Sequence, residues 1–147
     1  IAQCYTFEFL VDFANHQLAD LTPRYLLRTK PGTLQLDVID RNMLDQVRAV
    51  NSLSGVESFI VSLSLALGLS SLSSNNLNIG SLFIDEGFGN LDADNLNMVI
   101  DALSNLQNTQ RRKVGVISHT EQIQNRISPK IHLVPEPGGR SKITIQG

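Results

Sequence analysis

The sequence predicts an α/β domain, in which a mainly parallel sheet with flanking helices also has an antiparallel portion. Two apolar stretches, residues 79–84 and 114–117, have the composition of central parallel strands and are separated by a helical pattern. A strand–helix–strand order implies a right-handed crossover between parallel strands. Polar pairs follow both stretches, Asp85-Glu86 after the first and Ser118-His119 after the second. Because ligands bind beyond the carboxyl ends of such strands, the two pairs predict one site at a shared edge.

The bulk composition is that of one globular domain. The chain has 147 residues, of which 41% are hydrophobic and 18% are charged. The net charge of −2 gives no indication of nucleic-acid binding, and the single cysteine, Cys4, excludes an internal disulfide. Ser62, Ser64 and Gly68 interrupt the longest apolar stretch, so we expect no membrane span and no membrane partner. The first ten residues lack the features of a secretory signal. The chain opens on Ile1 rather than Met, and we therefore expect a fragment of a longer protein.

The N-terminal third predicts one helix followed by a small set of strands. Thr22-Pro23 ends the helix. Two strands, over residues 25–27 and 34–39, are joined through Lys30-Pro31-Gly32, and residues 46–50 predict a short third strand. The helix covers about residues 5–21, because apolar residues recur there at three- and four-residue steps: Phe7, Leu10, Ala14, Leu18 and Leu21.

Three more helices are predicted beyond these strands. Ser54, with Glu57 three residues later, has the capping-box pattern of a helix start. Residues 59–69 are apolar on most sides, which predicts a buried helix, and a polar loop is expected over residues 70–78. A short helix to about residue 125 and two strands, near 131–134 and 142–145, complete the chain. Asp92 is predicted to cap the third helix, whose apolar residues are Leu96, Val99, Ile100, Leu103 and Leu106.

The adjacent carboxylates of Asp85 and Glu86 are the strongest chemical signal in the sequence. Paired acids at the end of a buried strand are costly to desolvate, and a magnesium–nucleotide site is the natural use for them. One acid then holds the hydrated metal and the next activates a water molecule. The alternatives are a solvated strand end for the acids and a satisfied core histidine for His119. The helix start at Ser54-Gly55 fits either an ordinary cap or a phosphate site.

Four segments together resemble the motifs of ATP-binding-cassette ATPases in both order and spacing. Leu53-Ser54-Gly55-Val56-Glu57 resembles the signature motif, and residues 81–86 resemble the Walker B strand. Asn90-Leu91-Asp92 resembles the D-loop, and Ser118-His119 the switch histidine. The run after the two acids and the apolar continuation of the signature helix look like the bacterial SbcC family, the coiled-coil ATPase of the SbcCD nuclease. Residues 14–26 resemble the stretch in which the returning coiled coil enters the ATPase head.

The resemblance implies a role for each motif residue, with ATP and Mg²⁺ as cofactors. Asp85 would help to hold magnesium, largely through water, Glu86 would polarise the attacking water, and His119 would sense the γ-phosphate. The D-loop residues Asn90, Leu91 and Asp92 would link two active sites across a head dimer. The signature residues Ser54, Gly55 and Glu57 would belong to the nucleotide site of the opposite head.

Two features depart from the family pattern. Val56 stands where the signature motif has its second glycine, so either the loop keeps φ negative or the contact with the opposite nucleotide is weakened. No phosphate-binding G-x-x-x-x-G-K-S/T occurs in these residues, which predicts the C-terminal half of a split head. Within this single domain (1–147) we expect a helix continuing from a coiled coil (1–22), strands (23–52), the motif core (53–134) and a final turn and strand (135–147).

The resemblance implies a function in DNA repair and recombination. ATP binding and hydrolysis would drive head dimerisation and control DNA end processing by a separate nuclease subunit of SbcD type. The expected partners are the N-terminal P-loop half, a second head, the nuclease subunit and DNA, in the bacterial cytoplasm at the nucleoid. The chain alone would be inactive. The alternatives are a nucleotide-binding subunit of a transporter and a non-hydrolysing, ATP-gated DNA clamp.

Overall fold

A computed structural model describes residues 2–73, 80–85, 92–111 and 113–147. The predicted site residues Glu86, Asn90 and Leu91 lie outside these ranges. Two single-turn 3₁₀ helices, Arg41–Met43 and Val50–Ser52, flank the third strand. The main elements in chain order are α1 (Ala2–Leu21), β1 (Tyr25–Thr29), β2 (Leu36–Asp40), β3 (Gln46–Ala49), α2 (Gly55–Ser73), β4 (Ser81–Asp85), α3 (Ala93–Gln110), β5 (Lys113–Ile117), α4 (Glu121–Gln124), β6 (Lys130–Glu136) and β7 (Arg140–Gln146).

The predicted combination of parallel and antiparallel strands with flanking helices is confirmed. The first three strands form an antiparallel sheet in the order β1-β2-β3. The strands β4 and β5 pair in parallel, with α3 as the connection between them, and β6 and β7 form an antiparallel hairpin. Gly138 and Gly139 allow the turn of this hairpin, because both have the positive φ that side chains disfavour.

The helix α1 lies at the centre of the core, against α2, α3 and β1. Its predicted apolar face is confirmed for Ala14, Leu18 and Leu21, which are almost fully buried. At Gly68 of α2 the two helix backbones approach so closely that an added Cβ would lie 2.8 Å from the amide nitrogen of Ala14. The glycine therefore sets the distance between α1 and α2.

The helix α2 is longer and less buried than the sequence predicts. It continues to Ser73, so the expectation of a loop from residue 70 is wrong for residues 70–73. Ile60 and Val61 are buried, whereas Leu69 is 55% exposed, because neighbours cover only part of the helix circumference. By length and composition alone, Gly55–Leu72 could cross a membrane, so the interruptions at Ser62, Ser64 and Gly68 do not by themselves exclude a span. In this fold α2 is instead a core helix that packs on α1.

The strands β4 and β5 form the predicted parallel pair, but they are less buried among the described residues than central strands usually are. Leu82 and Ile84 are half-buried against the core, but the alternate residues face outward, and Phe83 is 74% exposed. Ile117, at the end of β5, is also exposed. Among the described residues, the core therefore covers only one face of this pair. Phe83 lies over Gly115, where an added Cβ would come within 2.7 Å of its ring.

We predict that Gly68→Val lowers the stability of the protein by about 1–3 kcal/mol, because its side chain would collide with the backbone of α1. The measurement is the midpoint of urea unfolding, followed by circular dichroism. Gly80→Val is the matched control, since an added Cβ at Gly80 has nothing within 4 Å. Equal midpoints for the two variants would show that the helices do not need the close approach.

Candidate functional site

The two polar strand ends lie side by side, as the sequence predicts. The parallel register pairs Asp85 of β4 with Ile117 of β5, so Ser118 and His119 follow directly beside the carboxylate. Asp85 and His119 are both exposed. The alternative of a core histidine is therefore wrong. Asp85 is also not desolvated, because the outer face of its strand is uncovered in the described residues.

The turn that carries His119 is held by its neighbours. The hydroxyl groups of Ser118 and Thr120 are 2.7 Å apart, and the Thr120 amide donates to Ser118 Oγ at 3.2 Å. The helix α4 follows at once, and its buried Ile123 anchors the turn to the core. These contacts fix the backbone on both sides of His119.

Asp92 caps α3, as predicted. Its carboxylate accepts hydrogen bonds from the Asn95 backbone amide at 2.8 Å and from Asn95 Nδ2 at 2.9 Å. An acid at this position also interacts favourably with the positive end of the helix dipole. Asp92 is the described part of the predicted D-loop.

The segment Ser54–Glu57 forms the predicted capping box at the start of α2. The Ser54 amide donates to Glu57 Oε2 at 2.8 Å, and the Glu57 amide donates to Ser54 Oγ at 3.4 Å. Ser54 and Gly55 are exposed at this helix end. Backbone amides at a helix start can bind a phosphate, so the exposed pair is a possible anion site.

Val56 does not obstruct this helix end. It is helical, is not among the described residues with positive φ, and is only 1% exposed within the hydrophobic core. The backbone at Val56 therefore keeps φ negative, which is the first of the two alternatives from the sequence, and the side chain points into the protein. Val56 instead anchors the first turn of α2.

Glu57, predicted among the nucleotide-binding residues, is buried and bonded within the protein. Its Oε1 accepts from the Tyr25 hydroxyl at 2.8 Å and from Arg48 Nη1 at 3.0 Å. Its Oε2 accepts from the Ser54 amide at 2.8 Å and from Arg48 Nη2 at 3.3 Å. With both oxygens engaged, Glu57 is placed to hold the helix start and not to contact a nucleotide.

The ion pair between Arg24 and Asp40 lies beside the ion pair between Arg48 and Glu57. The fully buried carboxylate of Asp40 accepts from Arg24 through Nε at 3.0 Å and Nη2 at 2.7 Å. The Arg24 guanidinium stacks over the Tyr25 ring at 4.8 Å. We call Arg24, Tyr25, Asp40, Arg48 and Glu57 the signature-supporting cluster. This cluster was not predicted from the sequence, although charged residues within short strands could have indicated it.

The cluster strongly favours ionised carboxylates. The hydrogen bonds from Arg24 lower the pKa of Asp40, against the effect of burial. For Glu57 burial acts to raise the pKa, but the Ser54 amide, Arg48 and Tyr25 outweigh it and lower the pKa to about 2. Burial and the Glu57 carboxylate raise the pKa of Tyr25. The hydroxyl of Tyr25 therefore stays a hydrogen-bond donor.

The described residues fit a magnesium site only in part. Asp85 is an exposed carboxylate at a strand end, and such oxygen ligands suit Mg²⁺, which keeps several waters. No group of three or more potential ligands among His, Cys, Asp and Glu occurs in the part of the chain that the structure describes. A metal at Asp85 would take its other ligands from water and from phosphate oxygens.

Comparisons with known proteins identify relatives and a fold. The family profile for "SbcC/RAD50-like, Walker B motif" matches residues 30–105. The chain is 53% identical over 147 residues to the SbcC subunit of the SbcCD nuclease from Rhodobacter capsulatus, and 48% identical to its counterpart from Pseudomonas aeruginosa. In both cases all of this chain aligns, but it spans only 12% of the relative's length.

Solved structures agree on the fold. The SMC head domain from Thermotoga maritima matches with a TM-score of 0.67 at 16% identity, over 95% of this chain and 48% of that one. A chain from work on ATP-driven dimerisation and DNA-stimulated activation of SMC ATPases matches with a TM-score of 0.68 at 17% identity. This match covers 99% of the present chain and 88% of the other.

We predict that Val56→Gly destabilises the domain by about 2–4 kcal/mol, since it removes a buried side chain and adds a helical glycine. The measurement is again the free energy of unfolding in urea. Ser62→Gly, on the exposed side of the same helix, carries only the backbone effect. If both variants lose the same stability, Val56 does not anchor the helix.

We predict that Glu57→Gln lowers stability at pH 7 by about 1.5–3 kcal/mol, because charged hydrogen bonds to Arg48 are lost. The pKa of Glu57 falls from 4.5 to about 2 on folding, so its contribution is fully present above pH 4.5 and is lost as the pH falls towards 2. The variant should therefore lose less stability than the parent protein between about pH 5 and pH 2.

Urea unfolding at several pH values measures this difference. Glu136→Gln is the control, since Glu136 is exposed at the end of β6. An acid dependence of Glu57→Gln as steep as that of the parent protein would contradict the assignment.

Proposed function

This chain belongs to the SbcC/RAD50-like Walker B family, and from that membership we propose that it is the C-terminal half of an ABC-type ATPase head. The observation that carries the proposal is the parallel register of β4 and β5, which brings Asp85 beside Ser118-His119 at one exposed edge. The same chain presents Ser54-Gly55 at a helix start but contains no P-loop sequence. It therefore has the residues for one part of a nucleotide site and lacks those that cradle the phosphates.

We assign the missing part to the N-terminal half of the same protein, and the length of the relatives, of which this chain spans 12%, leaves room for such a half. Exposed apolar surface supports this partner. Among the described residues, Phe83 lies uncovered at the centre of β4, and Ile117 lies uncovered at the end of β5 that carries the site. The outer hairpin shows the same property, because its cross-strand pairs Ile131–Ile145 and Leu133–Ile143 are all more than 60% exposed. Surfaces of this kind mark a protein interface.

In the assembled head each motif residue has one role. Bound Mg²⁺ and ATP supply the electrophilic phosphorus and charge neutralisation. Asp85 would hold the hydrated metal, Glu86 would polarise the attacking water, and His119 would contact the γ-phosphate. The reaction is phosphoryl transfer to water, and the residues act by position and charge.

Two heads complete each other's sites. Ser54 and Gly55 contact the γ-phosphate of the nucleotide held by the opposite head, and Asn90, Leu91 and Asp92 link the two sites. ATP then joins the heads only while the γ-phosphate is present. Glu57 supports this contact from inside the protein.

The whole protein is an ATP-driven subunit of a DNA nuclease. The relatives bear the name of the SbcC subunit of the SbcCD nuclease. In our proposal the nuclease activity resides in a separate subunit of SbcD type. Head dimerisation controls the processing of DNA ends in the cytoplasm, at the nucleoid. The helix α1 continues from a coiled coil. The chain alone binds nucleotide weakly and does not hydrolyse it.

Two other functions have less support. A transporter subunit does not agree with membership in this family. A non-hydrolysing clamp was suggested by Val56, but that residue is buried and does not obstruct the helix end. Hydrolysis by the assembled head separates this clamp from the proposed enzyme.

We predict that Glu86→Gln, in this chain co-purified with the P-loop half of its own protein, lowers ATP turnover by at least about a hundredfold. The variant should also retain ATP-bound dimers, because the binding contacts remain while the carboxylate that polarises water is lost. Turnover and size-exclusion chromatography with ATP are the measurements, with Glu136→Gln as the control.

A normal turnover rate for Glu86→Gln would remove its proposed role. If the parent head dimerises with ATP but shows no turnover, the clamp is the correct function. If it does neither, the chain is not half of an ATPase head.

A further inference from the structure

Arg48 of β3 contacts the chain on both sides of the exposed pair Ser54-Gly55. Before the pair, Arg48 Nη2 donates to the carbonyl oxygen of Ser52 at 2.9 Å. After the pair, Nη1 and Nη2 donate to the two carboxylate oxygens of Glu57 at 3.0 and 3.3 Å. One guanidinium group therefore links the chain before and after the exposed residues Ser54 and Gly55.

The surroundings hold Arg48 itself in place. Its side chain is only 25% exposed, and Nη1 lies 3.9 Å from the fully buried carboxylate of Asp40. The Tyr25 hydroxyl shares Glu57 Oε1 with it. The Ser52 hydroxyl donates to the Ala49 carbonyl at 2.7 Å, which fixes the short turn between β3 and the helix start. Arg48 belongs to strand β3, so these contacts join the helix start to the sheet and not to a loop.

The chemistry of this contact requires arginine. A planar guanidinium has several N–H groups in a fixed fork, so it can bind a carboxylate and a neighbouring carbonyl at the same time. A lysine ammonium is a point charge and cannot reproduce this geometry. Arg48 also balances the negative charge of Glu57, which lies one turn from the place where a phosphate would approach.

We propose that Arg48 is a positioning residue that fixes Ser54 and Gly55 for contact with the γ-phosphate bound to the opposite head. This inference rests on the proposed function and assigns to it a residue outside the signature motif. Ser54 Oγ accepts from the Glu57 amide, and a hydroxyl that accepts can still donate its own hydrogen to a phosphate oxygen. Arg48 keeps this hydroxyl and the first amides of α2 in one arrangement before the second head arrives.

The test compares Arg48→Lys with Arg28→Lys in the full-length protein. Arg28 lies on β1 of the same sheet and forms an exposed ion pair with Asp37 at 3.7 Å, at a distance from α2. Tyr25→Phe is a second variant, which removes one hydrogen bond to Glu57 and keeps the arginine. Thermal unfolding of each variant shows that the protein is folded.

Three quantities distinguish positioning from general damage. Without nucleotide, amide hydrogen exchange over residues 53–57 should be about ten- to a hundredfold faster in Arg48→Lys, with no change in α3. ATP-dependent dimerisation should weaken by about the same factor. The affinity of single heads for ATP, measured at concentrations below dimerisation, should stay within about twofold, since the signature acts on the opposite nucleotide.

Arg28→Lys should match the parent protein in all three quantities, and Tyr25→Phe should show a smaller change of the same kind. Unchanged exchange over residues 53–57 in Arg48→Lys would overturn the proposal, whatever happens to ATP. An equal loss of single-head ATP affinity and of dimerisation would also overturn it. If the parent protein fails to dimerise with ATP, the proposed function fails, while hydrogen exchange still decides whether Arg48 positions the segment.

Discussion

The buried carboxylate of Glu57 is the constraint on which the geometry of this domain depends. The helix α2 is apolar on most sides, so hydrophobic contact alone would accept several rotations of the helix about its axis. A buried charge accepts only the arrangement that supplies its partners, and those partners come from β1, β3 and the helix start. The same contacts therefore fix where α2 begins and which residues its first turn exposes.

Local patterns were read correctly from the sequence, because their partners lie a few residues apart. The caps at Ser54 and Asp92 join residues three positions apart, and both have the predicted hydrogen bonds. The neighbouring strand ends followed from two apolar stretches and the connecting helix. The signature-supporting cluster was not predicted, because Tyr25 and Glu57 are 32 residues apart and no periodicity indicates such a pairing.

The exposure of β4 and β5 has a different physical reason. The composition of these strands is that of a sheet covered on both faces, whereas the described residues cover one face only. A sequence reflects the burial of the assembled protein, and in the proposed head the P-loop half would cover the second face of this sheet. Phe83 shows the difference most clearly, since it is an aromatic residue at a strand centre and is 74% exposed.

The two parts of the proposed site differ in how far contacts within this chain hold them in place. Ser54 and Gly55 are supported from below by a buried network, whereas Asp85 and His119 lie at an exposed edge. This difference agrees with their proposed roles. In the proposed head, Asp85 and His119 would act on a nucleotide held by their own head, so binding of the P-loop half and of the ligand would complete their surroundings.

In the proposed function, Ser54 and Gly55 recognise a nucleotide that is already held by the opposite head. If Ser54 and Gly55 became ordered only when the heads meet, the conformational entropy lost would lower the affinity between the heads. A network that holds Ser54 and Gly55 in advance removes this loss, and the partly buried Arg48 and the buried Glu57 provide it without occupying the exposed surface. These charged groups therefore lie beneath the proposed binding surface, where their contacts hold the shape that the second head would recognise.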